Sequence, residues 1–345
     1  MRILPVENVE SGMKIGKAVY NSNGALMLGR GTILSDMVVS KLNQHNISFL
    51  YIDDELSAGI EPSNTIDEEI KVKIITKFKK TIDAKQAFSR PETMKNCMNL
   101  VQELIDNIQK SDAKSYYVME LMGTDMYTYY HSVNVAIISI LVGIKLKMQH
   151  SELFNLGMGA LLHDIGKVNI PPEILQKPIG LSDEELRIIQ THPLEGYNMI
   201  KGEYHMHGMV KNIIMNHHEK LDGSGYPRGL TAKDTPLPVR IVTMADMFDA
   251  LTSNRVYKQA YPVYKALEIL MTDSVYKLDK SIYQPFVESI NIFPEGSLVV
   301  LTGDIMGMVI AQNPVNPSRP VVKNLKDDSV IDLSKKLSLF IEKVY

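Results

Sequence analysis

The sequence predicts a mainly α protein, a helical bundle that carries a metal centre, with small β-containing modules at its N- and C-termini. Three observations predict it. Apolar residues recur at helical spacing through the middle of the 345-residue chain. Both ends instead carry short apolar runs separated by Gly, Asn and Pro turns. Five of the nine histidines, at 131, 163, 192, 217 and 218, form with aspartates one motif pattern that runs between Tyr130 and Pro227.

A chain of this length calls for two or three units. The pattern divides it into a small mixed module over 1–60, a helical linker over 61–114, a helical domain over 115–285 and a small β module over 286–345. In the first module Lys17–Tyr20 and Ala25–Leu28 read as strands about an Asn23-Gly24 turn, Ser35 or Asp36 caps a short helix through Leu42, and Ile47–Ile52 returns as a strand. In the linker, Ile66, Ile70, Ile74, Phe78 and Ile82, then Met94, Met98, Val101, Leu104 and Ile108, keep helical periodicity. Helices that simply bury one face are the preferred reading, ahead of a signal-transmitting or dimer-forming helix.

The helical domain follows. A long apolar helix runs from His131 through Leu146, and another from Glu152 to Leu162. Pro171, Pro172 and Pro178 make Val168–Gly180 a loop. Ser182 and Glu185 form a capping box that restarts a helix, with Leu181 and Leu186 placed for a hydrophobic staple. Val239–Leu251 and Pro262–Met271 are further helices. Ser297–Leu301, Met306–Gln312 and Pro320–Asn324 read as strands of the last module, with Thr302-Gly303-Asp304 as a turn.

Bulk composition narrows the function. A formal net charge of −3 leaves no basic footprint for duplex nucleic acid. The single cysteine, Cys97, permits no internal disulfide and suits a reducing, cytoplasmic setting. The longest apolar candidate, Val133–Val142, is too short for a membrane span, and the N-terminus has no signal pattern.

The chemistry concentrates in two runs, His163-Asp164-Ile165-Gly166-Lys167 and His217-His218-Glu219 through Gly225-Tyr226-Pro227. Imidazoles and carboxylates gathered in this way suit divalent transition metals that activate water. Lys167 lies three residues beyond Asp164 on the same helical face, where a cation can meet charge developing on a phosphoryl oxygen. Asp246 and Asp249 share one face of an otherwise apolar helix, and a buried aspartate there needs a metal or a cation. Two adjacent imidazoles at 217 and 218 also resist a packing explanation, because both need partners. The run of tyrosines at 116, 117, 127, 129 and 130 reads first as packing, with ligand stacking as the alternative.

Taken together, His131-Ser132, Leu161–Lys167, Ile170-Pro171-Pro172, His192-Pro193, His217–Pro227, Pro236-Leu237, Ala245-Asp246, Phe248–Ser253, Arg255 and Tyr257-Lys258 resemble the HD-GYP proteins, a branch of the HD phosphohydrolases, over roughly residues 115–260. The resemblance implies an HD-type bundle that hydrolyses cyclic di-GMP. It assigns metal ligation to His131, His163, Asp164, His192, His217, His218 and Asp246, with Asp164 and Lys167 as the catalytic pair. Arg255 and Lys258 would hold the ligand's phosphate, as a dianionic dinucleotide requires. Tyr226 would lie against a nucleobase or order its loop; Gly225 suits the tight loop, and Asp222 and Asp249 complete the set of candidates, Asp249 orienting a ligand or a water. Some members place a glutamate four residues before the first histidine, where it supports a third metal. Here that position is Tyr127 and Asp125 lies off its face, so the expectation is two ions, iron or manganese first, with zinc, cobalt or nickel as further options. The implied reaction is attack of a metal-activated water on phosphorus, giving pGpG, with GMP as a further product where cleavage continues. The alternatives are a cyclic di-GMP receptor with little turnover and an HD phosphohydrolase for another nucleotide. A homodimer, and signalling partners at the Gly225-Tyr226-Pro227 loop, complete the expected partners.

Overall fold

A computed structural model of the chain describes residues 1–21, 24–44, 47, 49–82, 90–113, 115–117, 127–175, 177, 180–253 and 260–345. It divides into two compact units: Met1–Thr65 with Ser115–Met126 and Ile290–Tyr345, and Ile66–Lys114 with Tyr127–Ser289.

The first unit brings the two terminal modules together. Strand β1 (Arg2–Pro5) pairs antiparallel with β4 (Phe49–Ile52), β2 (Val19–Tyr20) pairs with β3 (Leu26–Leu28), and α1 spans Asp36–Gln44. Val6, Ile15, Val19, Leu34, Leu42, Leu50 and Ile52 form the core between them. The C-terminal strands are β5 (Leu298–Leu301), β6 (Ile305–Ala311), β7 (Val321–Asn324), β8 (Val330–Asp332) and β9 (Ile341–Val344), in one sheet of order β8-β7-β6-β5-β9. Strands β1, β8 and β9 are absent from the sequence reading. Each has only three or four residues, too few for alternation to register, and Pro5 sits within β1.

The second unit is helical and carries the site. The two linker helices are α2 (Glu68–Ile82) and α3 (Pro91–Lys110). They are followed by α4 (Tyr127–Lys145), α5 (His150–Leu162), α6 (Pro172–Leu175), α7 (Asp183–Ile189), α8 (His192–Ile200) and α9 (Gly208–Asn216). The last three are α10 (Leu237–Thr252), α11 (Val263–Asp273) and α12 (Lys280–Ser289). Helix α4 is the centre: every residue from Tyr130 to Gly143 is buried, against α5, α10 and α12. It is long and apolar enough to cross a membrane, yet 78% of its apolar window is buried inside the unit. Each Ile, Leu or Val withdrawn from water there contributes about 1.5–3 kcal/mol.

Three differences from the sequence reading have local causes. Helix α4 begins one turn before His131, because Tyr127, Thr128 and Tyr129 extend it over a half-buried flank. The stretch read as loop after Val168 holds the end of a 3-10 turn (Ile165–Asn169) and the short α6, whose first residue, Pro172, is where a helix needs no N–H. Helix α12 escapes detection because Pro285 lies inside it. The capping box at α7 forms as expected, with Ser182 Oγ accepting from Glu185 N at 3.2 Å and Glu185 Oε2 accepting from Ser182 N at 2.7 Å.

Candidate metal centre

Three of the five histidines stand where helices end. His163 follows the last residue of α5 and His217 the last residue of α9, while His192 comes three residues after α7 and opens α8. The last four carbonyls of a helix have no intrahelical partner. One of them takes each imidazole: His163 Nδ1 donates to Ala160 O at 2.7 Å, His192 Nδ1 to Ile189 O at 2.7 Å, and His217 Nδ1 to Ile214 O at 2.9 Å. A carbonyl only accepts, so the proton sits on Nδ1 and each Nε2 keeps a free lone pair aimed inward.

Those lone pairs converge. His192 Nε2 and His217 Nε2 are 3.2 Å apart, as are His163 Nε2 and His131 Nε2. Burial, reinforced by the neighbouring imidazoles, pushes His217 well below the ordinary histidine range, and burial takes His218 down to about 3. The facing lone pairs of His192 and His217 repel unless a cation lies between them. Asp164 occupies the middle. Its Oδ1 lies 3.2 Å from His192 Nε2 and 3.9 Å from His217 Nε2, and its Oδ2 lies 3.4 Å from His163 Nε2 and 3.5 Å from His131 Nε2. Oδ1 is buried without a hydrogen-bond partner, an orphaned acceptor that a cation would satisfy. Burial opposes the Asp164 charge, yet Lys167 and the histidines hold its carboxyl well below the usual range.

Two overlapping donor groups result, Asp164 with His192, His217 and His218, and Asp164 with His131 and His163. Asp246 joins them, its Oδ1 3.1 Å from His131 Nε2 and its Oδ2 3.6 Å from His218 Nδ1. Behind His131, Asp249 Oδ2 takes Nδ1 at 2.7 Å while Asn134 Nδ2 donates to Asp249 Oδ1 at 2.9 Å. Burial works against a charged His131, but Asp246 and Asp249 together raise it to about 9. The mixed imidazole and carboxylate set fits divalent transition metals.

A close approach holds the two halves in register. A Cβ on Gly166 would lie 2.0 Å from His192 O and 2.5 Å from Gly196 N, so only glycine lets the turn after His163-Asp164 rest on α8. Lys167 donates to Asp164 Oδ2 and faces a cavity of about 140 Å³ lined also by Thr128, Tyr129, Ser132, Val168 and Leu175. Tyr127 stacks on His131 with ring centroids 5.7 Å apart. Tyr226 stacks on His218, and Gly225 packs against the backbone of His218, Glu219 and Lys220. Asp222 is exposed, bonds Ser224, and stands apart from the cluster. Arg255 and Lys258, like Asp125, lie outside the described residues.

Two participants are absent from the sequence reading. Asn134 stands three residues beyond His131 on the same face, a spacing that could have drawn attention to it. Glu219 is buried, and its carboxylate accepts from Arg228 N at 2.7 Å and Leu230 N at 2.9 Å, closing the loop. A glutamate directly after two histidines was its only signal.

Comparison with known proteins agrees with this geometry. Residues 124–282 match the family model for the HD domain. Cyclic di-GMP phosphodiesterase PA4108 of Pseudomonas aeruginosa is 32% identical over 225 residues, 65% of this chain and 54% of that protein. A 3'3'-cGAMP-specific phosphodiesterase of Vibrio cholerae, phosphodiesterase 3, is 35% identical over 169 residues, 49% of this chain and 36% of that protein. The chain thus spans about half the length, or less, of these two curated relatives. Among solved structures, Bd1817, an HDG"Y"P protein from Bdellovibrio bacteriovorus, superposes with a TM-score of 0.51 at 21% identity, covering 82% of this chain and 97% of that one, and so shares its fold. The helical unit is an HD domain. Its His217–Pro227 run resembles the motif of the HD-GYP branch of that family.

Proposed function

We propose that this chain is a metal-dependent phosphodiesterase that opens cyclic di-GMP to linear pGpG, using two divalent ions held by His131, His163, Asp164, His192, His217, His218 and Asp246. The observation that carries the reading is Asp164, whose two oxygens face two different histidine groups while one of them lacks any hydrogen-bond donor. Bound ions, iron or manganese first, would supply a water activated near neutral pH and draw off phosphoryl charge.

The chain's own groups do the rest. The carbonyl bonds fix both the Nδ1–H tautomer and the orientation of the His163, His192 and His217 rings, so their Nε2 lone pairs are preorganised for a cation. The Lys167 ammonium, 23% exposed at the cavity wall, is placed to neutralise a phosphoryl oxygen as charge builds on it. Arg255 and Lys258 would grip the phosphates. Tyr127 offers an aromatic ring to His131 where a third ion would need a carboxylate, which favours the two-ion site and a linear product.

The 3'3'-cGAMP-specific relative in Vibrio cholerae supports a second reading, a phosphodiesterase for a mixed cyclic dinucleotide. One assay separates these. Protein loaded with manganese or iron(II) is incubated with cyclic di-GMP, 3'3'-cGAMP and cyclic di-AMP, and products are resolved by chromatography. Release of pGpG at the highest kcat/KM from cyclic di-GMP is expected. Preference for 3'3'-cGAMP moves the assignment to that substrate, and stoichiometric binding without product makes the chain a receptor.

A further inference from the structure

The five clustered imidazoles are not held alike. Backbone carbonyls fix His163, His192 and His217, and Asp249 fixes His131. His218 makes no hydrogen bond to another described residue through either ring nitrogen, and Asp246 Oδ2 stands 3.6 Å from its Nδ1. It also differs in which nitrogen it turns toward the carboxylates, Nδ1 rather than Nε2. An imidazole with no hydrogen bond is free to spin about its bonds, and a metal ligand needs its orientation set.

Rings set it here. Tyr226 lies flat on His218, with centroids 4.7 Å apart and planes 26° from parallel. His192 meets His218 edge-on at 5.0 Å and 86°. The loop that carries Tyr226 is built to keep it there. It doubles back so that Tyr226 N donates to His218 O at 3.3 Å. The fold-back is so tight that a Cβ on Gly225 would lie 2.3 Å from Lys220 N and 2.5 Å from His218 O. The buried Glu219 then ties the far side of the loop through the N–H groups of Arg228 and Leu230. Glycine, tyrosine and the two histidines thus act as one device.

We infer that Tyr226 is a positioning residue for the metal centre: its ring orients the His218 imidazole toward the ion held with Asp164, His192 and His217, and it does not serve as a platform for the substrate's nucleobase. The ring face that lies on His218 is closed to a base. Stacking of this kind biases the ring toward one rotamer.

The inference rests on the metal-centre reading above, and the experiment keeps the two apart. Wild type, Tyr226→Phe, Tyr226→Leu and Glu219→Gln are loaded with manganese, challenged with a graded chelator, and their retained metal is counted by elemental analysis, with thermal melting as the control for folding. Wild type and Tyr226→Phe should retain two ions per chain. Tyr226→Leu should release one of them at about 10-fold lower chelator concentration. Glu219→Gln, which loosens the loop without touching the ring, should shift release of the same ion in the same direction. In steady state kcat should then fall with ion content while the KM for cyclic di-GMP changes by less than about twofold. If Tyr226→Leu keeps both ions as tightly as wild type and raises KM instead, the tyrosine is a nucleobase platform and the inference is overturned. Should the leucine variant melt early, Glu219→Gln decides alone: unchanged ion retention there overturns the inference. A wild type that retains no metal refutes the metal centre itself, and this inference falls with it.

Discussion

Asp249 stands directly behind His131, its Oδ2 2.7 Å from the ring Nδ1, while the opposite nitrogen of the same ring faces Asp246 at 3.1 Å. The carboxylate–imidazole pair fixes the tautomer, and Asn134 in turn fixes the carboxylate. Replacing Asp249 by Asn removes the charge and keeps the shape. Metal affinity should fall about 10–100-fold, with the fold intact. Chelator competition measures this, and an affinity within about twofold of wild type would reduce Asp249 to a packing role.

Among the described residues Asp164 belongs to both donor groups, while Asp246 reaches one histidine of each from the side. Removal of Asp164 should therefore empty both. Asp164→Ala is expected to retain no ion, whereas His192→Ala, which touches a single group, should retain one. Elemental analysis of the two purified variants side by side provides the check. Equal loss from both would mean that the groups act as a single site.

Much of this centre was readable before any coordinates, and the reasons are local. His163-Asp164 and His217-His218 are adjacent in sequence, and the helical periodicity around them survives because α4, α5 and α10 bury their faces continuously. What escaped depends on distance along the chain. The sequence reading gives Asp249 the task of orienting a ligand or a water, but that its partner is His131, 118 residues away, is announced by no pattern within either helix. The role of Glu219 depends on a loop returning to it nine and eleven residues later. The exposed Asp222, one of the candidates, shows the opposite failure: a carboxylate inside the motif run that bonds only its own turn. The strands β1, β8 and β9 were missed because each is held by its neighbours in the sheet rather than by its own alternation.

Lys167 separates binding from chemistry. Its ammonium reaches Asp164 Oδ2 and also the cavity wall, so it can meet substrate without being a metal ligand. Lys167→Met keeps the stem and deletes the charge. Both ions should stay, while kcat falls about 10²–10³-fold, the usual cost of losing one transition-state donor. Metal content and single-turnover rate, measured on one preparation, test this; loss of metal together with rate would make the lysine a support for Asp164 alone.

Gly166 offers the strictest test of the architecture. A methyl there would fall 2.0 Å from His192 O and 2.5 Å from Gly196 N, and both are backbone atoms that no rotamer change can clear. Helix α8 must then move as a body, and His192 moves with it, since the residue opens that helix and hangs from Ile189 O. Overpacking of this kind costs about 1–3 kcal/mol. The distinctive expectation lies in the coupling. Gly166→Ala should lower the melting temperature of the metal-free protein, and added manganese should raise it less than in wild type, because ligand-linked stabilisation scales with the logarithm of affinity. A variant that melts early yet gains the full manganese shift would show that α8 can retreat without carrying His192 away, and that the glycine serves packing only.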